Sequence, residues 1–403
     1  MRAALAHSAE KVFVPVLLAV CLGGAVMSIQ LTWAGHLLTS NTRESVRRSL
    51  ELVPANARAW ERWAAFNPHE AVPSLERAVA LNPYLTTARL ELGLRAESAG
   101  RRQEAERLLL DAFRHDRMFL TRWTLANFYF RSGDQASFWR WARASAEYAH
   151  ASSFWLFDLC YRVSTDPALV LNKAIPQRAA VLSEYLSYLL STGRHDAVAE
   201  TFTRLAAFRR PADLPVLLCA VDRCLTAGHT TRAVALWNQL AASGFIPHST
   251  LHPGQGRSLT NGSFTVKPLA LGFDWRPNWN PEAFVLGKRV EFSGKQLDRT
   301  EVLWQPLPLA PGASYALHCR YRTSNIASNS GLRWHLLDPR TRRPLAAPSA
   351  SLSSDFETEQ TWRFQVPASA ALGHLTLLYD RAPGTTRIQG ALELISLQLI
   401  LGP

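Results

Sequence analysis

The sequence predicts a multidomain protein with an N-terminal transmembrane helix, an all-α helical solenoid and an all-β sandwich. Three observations lead to this fold class. Residues 12–33 contain no charged side chain. Matching side chains then recur 34 residues apart, as in repeat architectures. Past residue 245, apolar residues take every second position, as in strands with one buried face. The predicted boundaries are 1–40 for the tail and anchor, 41–245 for the helical repeat, 246–260 for a linker and 261–403 for the sandwich.

The N-terminal apolar segment has the length of a membrane span. Its 22 uncharged residues exceed the roughly 20 that cross a bilayer as a helix. Pro15 falls in the first turn, where a missing N–H is tolerated, and Trp33 lies where an interfacial aromatic belongs. A cleaved signal peptide is the alternative, because Arg2 and Lys11 resemble its basic region. The length of the run and the lack of a good small-x-small cleavage site favour a retained anchor.

The charge pattern bears on orientation and on partners. Basic residues flank both ends of the apolar segment, so the positive-inside rule does not decide the orientation. A short N-terminal tail is easily left inside, and we therefore expect a single-pass protein of a bacterial inner membrane with its bulk in the periplasm. The net charge is +12, but no run of five basic residues occurs. Scattered arginines are typical of a solvated surface, so a nucleic-acid partner is not expected.

The central segment repeats with a period of helix pairs. Three small or branched residues recur after 34 positions, namely Ala71, Leu75 and Ala78 as Ala105, Leu109 and Ala112. Small residues let adjacent helices approach, while large ones fill the gaps between them. Together with Gly93, Gly100 and the Pro83 that ends the first unit, these positions resemble tetratricopeptide (TPR) repeats. The resemblance covers roughly residues 45–245 and is clearest at 52–116.

The resemblance to TPR proteins implies a protein partner bound on a concave surface. That surface is lined by the first helix of each pair, which here would carry Arg89, Arg122, Asn127 and Tyr185. An alternative is an RNA-binding helical repeat, since the ending ASGFIP is similar to pentatricopeptide repeats. The membrane anchor argues against that alternative.

The C-terminal segment alternates with period two. Residues 315–322 place apolar side chains at every second position, and Pro-Gly turns at 311–312 and 383–384 separate short strands. This pattern predicts a β-sandwich. The preceding segment, 246–260, is rich in Gly, Pro and Ser, which is typical of a linker.

The opening Asn261-Gly262-Ser263-Phe264 and the later LAPGASYAL resemble jelly-roll carbohydrate-binding modules. This resemblance implies glycan binding, with Trp275 and Trp279 stacking on sugar rings and Asp274 and Arg276 bonding to hydroxyls. Thr265 stands where the family often has Glu, so its cation site is not expected here. Trp304 and Trp334 lie inside alternating strands and are interpreted as core residues.

The sequence offers no set of catalytic residues. It has no phosphate-binding Gly-Lys-Ser loop, His-Glu-x-x-His or Gly-x-Ser-x-Gly. Its five cysteines and twelve histidines lack disulfide or metal spacing, so no cofactor or metal is expected. A carboxylate pair, Asp274 with Glu282, leaves open an enzyme that cleaves or transfers glycans. The leading hypothesis is a membrane-anchored, non-catalytic scaffold that binds a protein partner and a glycan or second protein, in envelope polysaccharide assembly.

Overall fold

A computed structural model describes residues 2–148, 153–278 and 282–402 of the chain. It divides into two compact units, Met1–Pro176 and Gln177–Pro403. The division falls inside the stretch 41–245 that is predicted as one helical repeat. Each unit therefore carries part of the helices, and the second also carries all the strands.

The first unit is helical throughout its described residues. Its helices are α1 (Arg2–Leu37), α2 (Arg43–Leu52), α3 (Ala57–Phe66), α4 (Ala71–Leu81), α5 (Thr86–Ser98), α6 (Arg102–His115), α7 (Phe119–Ser132), α8 (Gln135–Glu147), α9 (Phe154–Val163) and α10 (Pro167–Lys173). Short loops join successive helices, so α3 packs on α4, α5 on α6 and α7 on α8. Side-chain caps such as Asn56, which accepts the Ala59 N–H, mark where helices begin.

The 34-residue period corresponds to equivalent buried positions on α4 and α6. The three matched pairs, Ala71 with Ala105, Leu75 with Leu109 and Ala78 with Ala112, are all buried. At the α5–α6 contact, a Cβ added to Gly93 would lie 2.6 Å from Cδ2 of Leu109. The glycine is thus needed for the close approach of these helices. The helical region is TPR-like in this respect, as the spacing predicts.

Helix α1 exposes apolar side chains along its described length. Leu18, Leu22 and Ile29 are each more than 60% exposed. Among the described residues, α1 is the one helix long and apolar enough to cross a membrane, with a qualifying window at Val20–Ser40. The side chains at the start of the predicted span 12–33 lie outside the described residues. Its end is packed: Ala34 is fully buried, and its carbonyl accepts a 2.9 Å hydrogen bond from Ser49 Oγ of α2.

The second unit combines four helices with two antiparallel sheets. The helices are α11 (Ala179–Thr192), α12 (Val198–Ala206), α13 (Leu214–Thr226) and α14 (Thr230–Ala242). The strands are β1 (Arg276–Pro277), β2 (Ala283–Leu286), β3 (Arg289–Ser293), β4 (Arg299–Pro308), β5 (Ser314–Ser324), β6 (Leu332–Leu337), β7 (Thr358–Gln365), β8 (Leu372–Asp380) and β9 (Gln389–Leu401).

The strands form a four-stranded sheet, ordered β1-β4-β8-β6, and a five-stranded sheet, ordered β2-β3-β9-β5-β7. All the pairings are antiparallel. Inward-facing residues of both sheets, among them Trp334 of β6 and Leu317 of β5, belong to one hydrophobic core. Trp334 is buried there, as its alternating strand predicts.

The segment between the last helix and the strands is packed against α14. The Asn238 side chain exchanges two hydrogen bonds with the Leu251 backbone, at 2.7 and 2.8 Å. Trp237 is fully buried and lies 5.8 Å from the Phe273 ring and 5.5 Å from that of His248. Residues 246–260 have the composition of a linker, yet specific side-chain contacts hold them to the helices.

Candidate functional site

The four residues predicted for the TPR-like surface are engaged within the protein. Arg89 of α5 forms an ion pair with Asp111 of α6 and donates from Nε to the Pro83 carbonyl at 3.0 Å. Asn127 of α7 is half-buried and donates from Nδ2 to the Trp123 carbonyl. Neither side chain projects as an isolated contact point for a partner.

Arg122 fixes the packing between helices. Only 7% of the residue is exposed, and its guanidinium carbon lies 3.8 Å from the centroid of the Tyr148 ring. Its Nε donates to the Arg117 carbonyl at 2.6 Å, and the Phe113 ring lies 5.3 Å away. This cation–π cage stabilises the fold and leaves little of Arg122 for a partner.

Tyr185 lies in a different unit from the other three predicted residues. It is fully buried and lies in the second unit, where its ring stacks on Tyr188 at 6.3 Å. It therefore belongs to a core and is not exposed to a partner. Burial depends on the neighbouring helices, which a count of helical positions does not reveal.

A different set of side chains is accessible on α7. Phe119, Trp123 and Phe130 are half-buried, and the rings of Phe119 and Trp123 stack with planes 8° apart. We call these three residues the α7 aromatic stripe. Their spacing of four and seven places them along one face of the helix. This spacing is visible in the sequence, but it belongs to aromatic residues, whereas the predicted surface was built mainly on polar ones.

The residues predicted to bind glycan fall in three different environments. Asp274 and Trp275 are fully buried, whereas Arg276 is partly exposed. Trp279 lies outside the described residues. The Trp275 ring stacks on Phe264 at 5.3 Å, and its Nε1 donates to the Asn261 carbonyl. Trp275 thus fills the core, and its ring is not open to a sugar.

Asp274 has a structural role. Its carboxylate accepts the backbone N–H groups of Leu269 at 2.6 Å and Trp275 at 2.8 Å, and lies 3.2 Å from Nε2 of His248. With no solvent access, it does not form an accessible carboxylate pair with Glu282 for glycan cleavage. Among the described residues, no group of three or more His, Cys, Asp or Glu side chains is placed to hold a metal ion.

Arg276 lines a cleft of about 720 Å³ in the second unit. The turn between α13 and α14 forms one wall, and strands β1, β4 and β8 with the loop after β6 form the other. Polar and aromatic lining residues are Asp222, Thr226, Thr230, Arg276, Trp304, Asp338, Arg340, Ser369 and His374. Trp304 was predicted to be a core residue, but it is half-buried and faces this cleft. The alternating pattern shows that Trp304 lies on one face of β4. It does not show which face of the strand is left uncovered by the helices.

Three side chains are layered at the base of the cleft. The Arg276 guanidinium carbon lies 4.6 Å from the centroid of the Trp304 ring, and His374 stacks on that ring at 4.3 Å. The backbone explains this placement, since Arg276 of β1 pairs directly with Trp304 of β4. Arg276 Nη2 also bonds to Asp222 Oδ1 at 2.6 Å and to the Gly272 carbonyl at 2.9 Å.

The electrostatics of the cleft keep its titratable groups in defined states. Burial raises the pKa of Asp222, and the adjacent Arg276 opposes that shift. Burial and the positive charges of Arg342 and Arg276 lower the pKa of His374 to about 4, so its ring is neutral at pH 7. Arg342 Nη1 lies 2.8 Å from His374 Nδ1. Because arginine can only donate, Nδ1 accepts and the ring proton resides on Nε2.

Comparison with solved structures shows helical proteins of low similarity. PilW, a type IV pilus biogenesis factor, is 14% identical, with 54% of this chain and 94% of that chain covered and a TM-score of 0.26. YrrB, a TPR protein with an unusual peptide-binding site, is 13% identical, with 51% and 94% covered and a TM-score of 0.23. PilF of Pseudomonas aeruginosa is 15% identical, with 55% and 90% covered and a TM-score of 0.24.

No family model and no curated protein matches the chain. The TM-scores of the solved structures are too low to support an argument on their own. The TPR-like description therefore rests on the buried 34-residue repeat of α4 and α6.

Proposed function

We propose that the protein is a non-catalytic, membrane-anchored scaffold whose helical repeat binds a protein partner. In this proposal α1 is a single-pass anchor in a bacterial inner membrane and the remainder lies in the periplasm. The strands form a jelly-roll sandwich that binds glycan or a second protein. A scaffold that joins these two activities suits the assembly of envelope polysaccharide.

One observation carries the protein-binding part of the proposal. The α7 aromatic stripe places Phe119, Trp123 and Phe130 at the surface of a packed helical repeat. Aromatic side chains are enriched at the centres of protein interfaces, because they bury large areas with few rotatable bonds. Solenoids of stacked helix pairs commonly bind partners on extended surfaces of this kind of repeat.

The anchor is supported by the surface of α1. A helix in water hides its apolar side chains against a neighbour, but Leu18, Leu22 and Ile29 are all exposed. Burial of these side chains in lipid removes apolar area from water at about 25 cal/mol per Å². The helix then meets α2 through Ala34 without a flexible segment.

Photo-crosslinking tests the protein-binding proposal in cells. Benzoylphenylalanine replaces Trp123 on the α7 aromatic stripe in one version of the full-length chain. In the control version it replaces Arg114 on α6, a side chain that is 78% exposed. We expect a discrete protein adduct from position 123 and none from position 114. Equal adducts at both positions, or none at either, would contradict the proposal.

A further inference from the structure

The cleft of the second unit contains hydrogen-bond donors that the fold does not use. Nε of Arg276 is buried and has no hydrogen-bond partner. Arg340, in the loop after β6, is exposed, and its guanidinium forms no hydrogen bond or ion pair with another described residue. Nε of Arg276 is closed to solvent, so the donors open to a ligand that supplies oxygen acceptors are those of the exposed Arg340 guanidinium.

The Arg340 guanidinium lies close to a glycine of the helical turn. Gly228 ends the turn between α13 and α14 with φ +82°, and a Cβ built there would lie 2.7 Å from Nη2 of Arg340. The absence of a side chain thus leaves room for the guanidinium against the turn. Arg340 therefore reaches from the loop after β6 to the turn between α13 and α14.

The charges of the lining balance. Asp222 and Asp338 carry two negative charges, and Arg276 and Arg340 carry two positive charges. The N–H groups of Thr341 and Arg340 bond to Asp338 and lower its pKa, so it is ionised. His374 adds no charge at neutral pH. A strongly anionic or cationic ligand would meet two like charges here, whereas a neutral ligand would meet donors and acceptors on both walls.

The lining also combines apolar surface with hydroxyl groups. Trp304, Ala370 and Leu372 provide apolar area, and Thr226, Thr230 and Ser369 provide hydroxyls. Apolar surface beside charged hydrogen-bonding groups suits ligands that carry C–H groups and many hydroxyls. At about 720 Å³ the cleft lies within the size range of ligand pockets.

We infer that this cleft, built around Arg276, Trp304 and Arg340, binds a short neutral saccharide. The inference rests on the proposed glycan-binding role of the strands and moves the binding site away from Trp275. Vicinal hydroxyls accept from the arginines and donate to Asp222 and Asp338, while the sugar C–H groups contact the edge of Trp304. Few ligand groups leave water at an open cleft, so we expect dissociation constants of about micromolar to millimolar.

Calorimetric titration of the full-length chain tests this inference. The protein is purified in a zwitterionic detergent, because the sugar headgroup of a glycoside detergent would compete for the cleft. The probes are cellotriose, maltotriose and chitotriose as neutral saccharides, with trigalacturonate and inorganic phosphate as anions. We expect at least one neutral probe to bind, and we expect Arg340→Ala to weaken that binding by about tenfold or more through loss of its hydrogen bonds.

Arg363→Ala is the matched control, because Arg363 is an exposed arginine of β7 that does not line the cleft. It should leave binding unchanged, and both variants should keep the parent's thermal midpoint. Binding that is equal in all three proteins would overturn the placement in the cleft. Tighter binding of phosphate or trigalacturonate would overturn the neutral class, and binding of none of the five probes would overturn the inference. The crosslink at position 123 is independent of all these outcomes, so the scaffold proposal is tested separately.

Discussion

Replacement of Gly93 by alanine tests the contact that defines the helical repeat. The added Cβ would lie 2.6 Å from Cδ2 and 2.8 Å from Cγ of Leu109, which is fully buried and has little room to move. Overpacking of this kind costs about 1–3 kcal/mol. Alanine recovers about 1 kcal/mol through its higher helix propensity, so Gly93→Ala should destabilise the protein by up to about 2 kcal/mol.

A double-mutant cycle with Leu109→Ala separates these two effects. Leu109→Ala alone should cost about 2–5 kcal/mol because it leaves a cavity. In that background the clash is gone, and Gly93→Ala should instead stabilise the protein by about 1 kcal/mol. Thermal unfolding of the full-length chain in detergent, followed by far-ultraviolet circular dichroism, measures all four proteins. A stabilising effect of Gly93→Ala in both backgrounds would refute the close contact between α5 and α6.

Three further predictions concern the anchor, the helix–strand contact and the cleft. The protein should remain with membranes after carbonate and high-salt washes, because α1 buries about 20 apolar residues in the bilayer. Immunoblotting of the fractions checks this, and release into the supernatant would restore the signal-peptide alternative. Trp237→Ala should destabilise the second unit by about 3–5 kcal/mol, seen as faster proteolysis of the strands, whereas Trp155→Ala, at a side chain 76% exposed, should change stability by less than about 0.5 kcal/mol. Because the pKa of His374 is about 4 in the folded protein, the unfolded chain takes up this proton at a higher pH than the folded protein does. The free energy of unfolding should therefore be unaffected by His374 above pH 6.5 and decrease by up to about 3 kcal/mol as the pH falls toward 4. His374→Gln should remove this part of the pH dependence of the thermal midpoint.

The helical repeat was predictable because its evidence is local. Ala71 and Ala105 are small for the same physical reason, and their 34-residue spacing survives in the sequence as a period. The alternation of residues 315–322 is local in the same sense, and it predicted the strand β5. Elements whose packing repeats along the chain can be recognised without knowing what surrounds them.

The cleft was only partly predictable because its parts come from distant positions. Arg276 was selected as a polar residue beside tryptophans, but its partner Asp222 is 54 residues away on α13. Neither the period of the helices nor the alternation of the strands indicates that these elements meet. Trp275 and Trp304 show the same limit, since the tryptophan between Asp274 and Arg276 is buried in the core, whereas the one inside an alternating strand faces the cleft.

The packed end of α1 affects how a partner would be found. Leu38 packs with Val46 and Ala59, and the Ala34 carbonyl bonds to Ser49, so no swivel separates the anchor from α2. With α1 in the membrane, the α7 aromatic stripe stays at a fixed distance from the bilayer surface. A flexible tether would instead let this distance vary. A partner that diffuses in the same bilayer then searches an area instead of a volume. Its effective concentration at the stripe then depends on its density in the membrane.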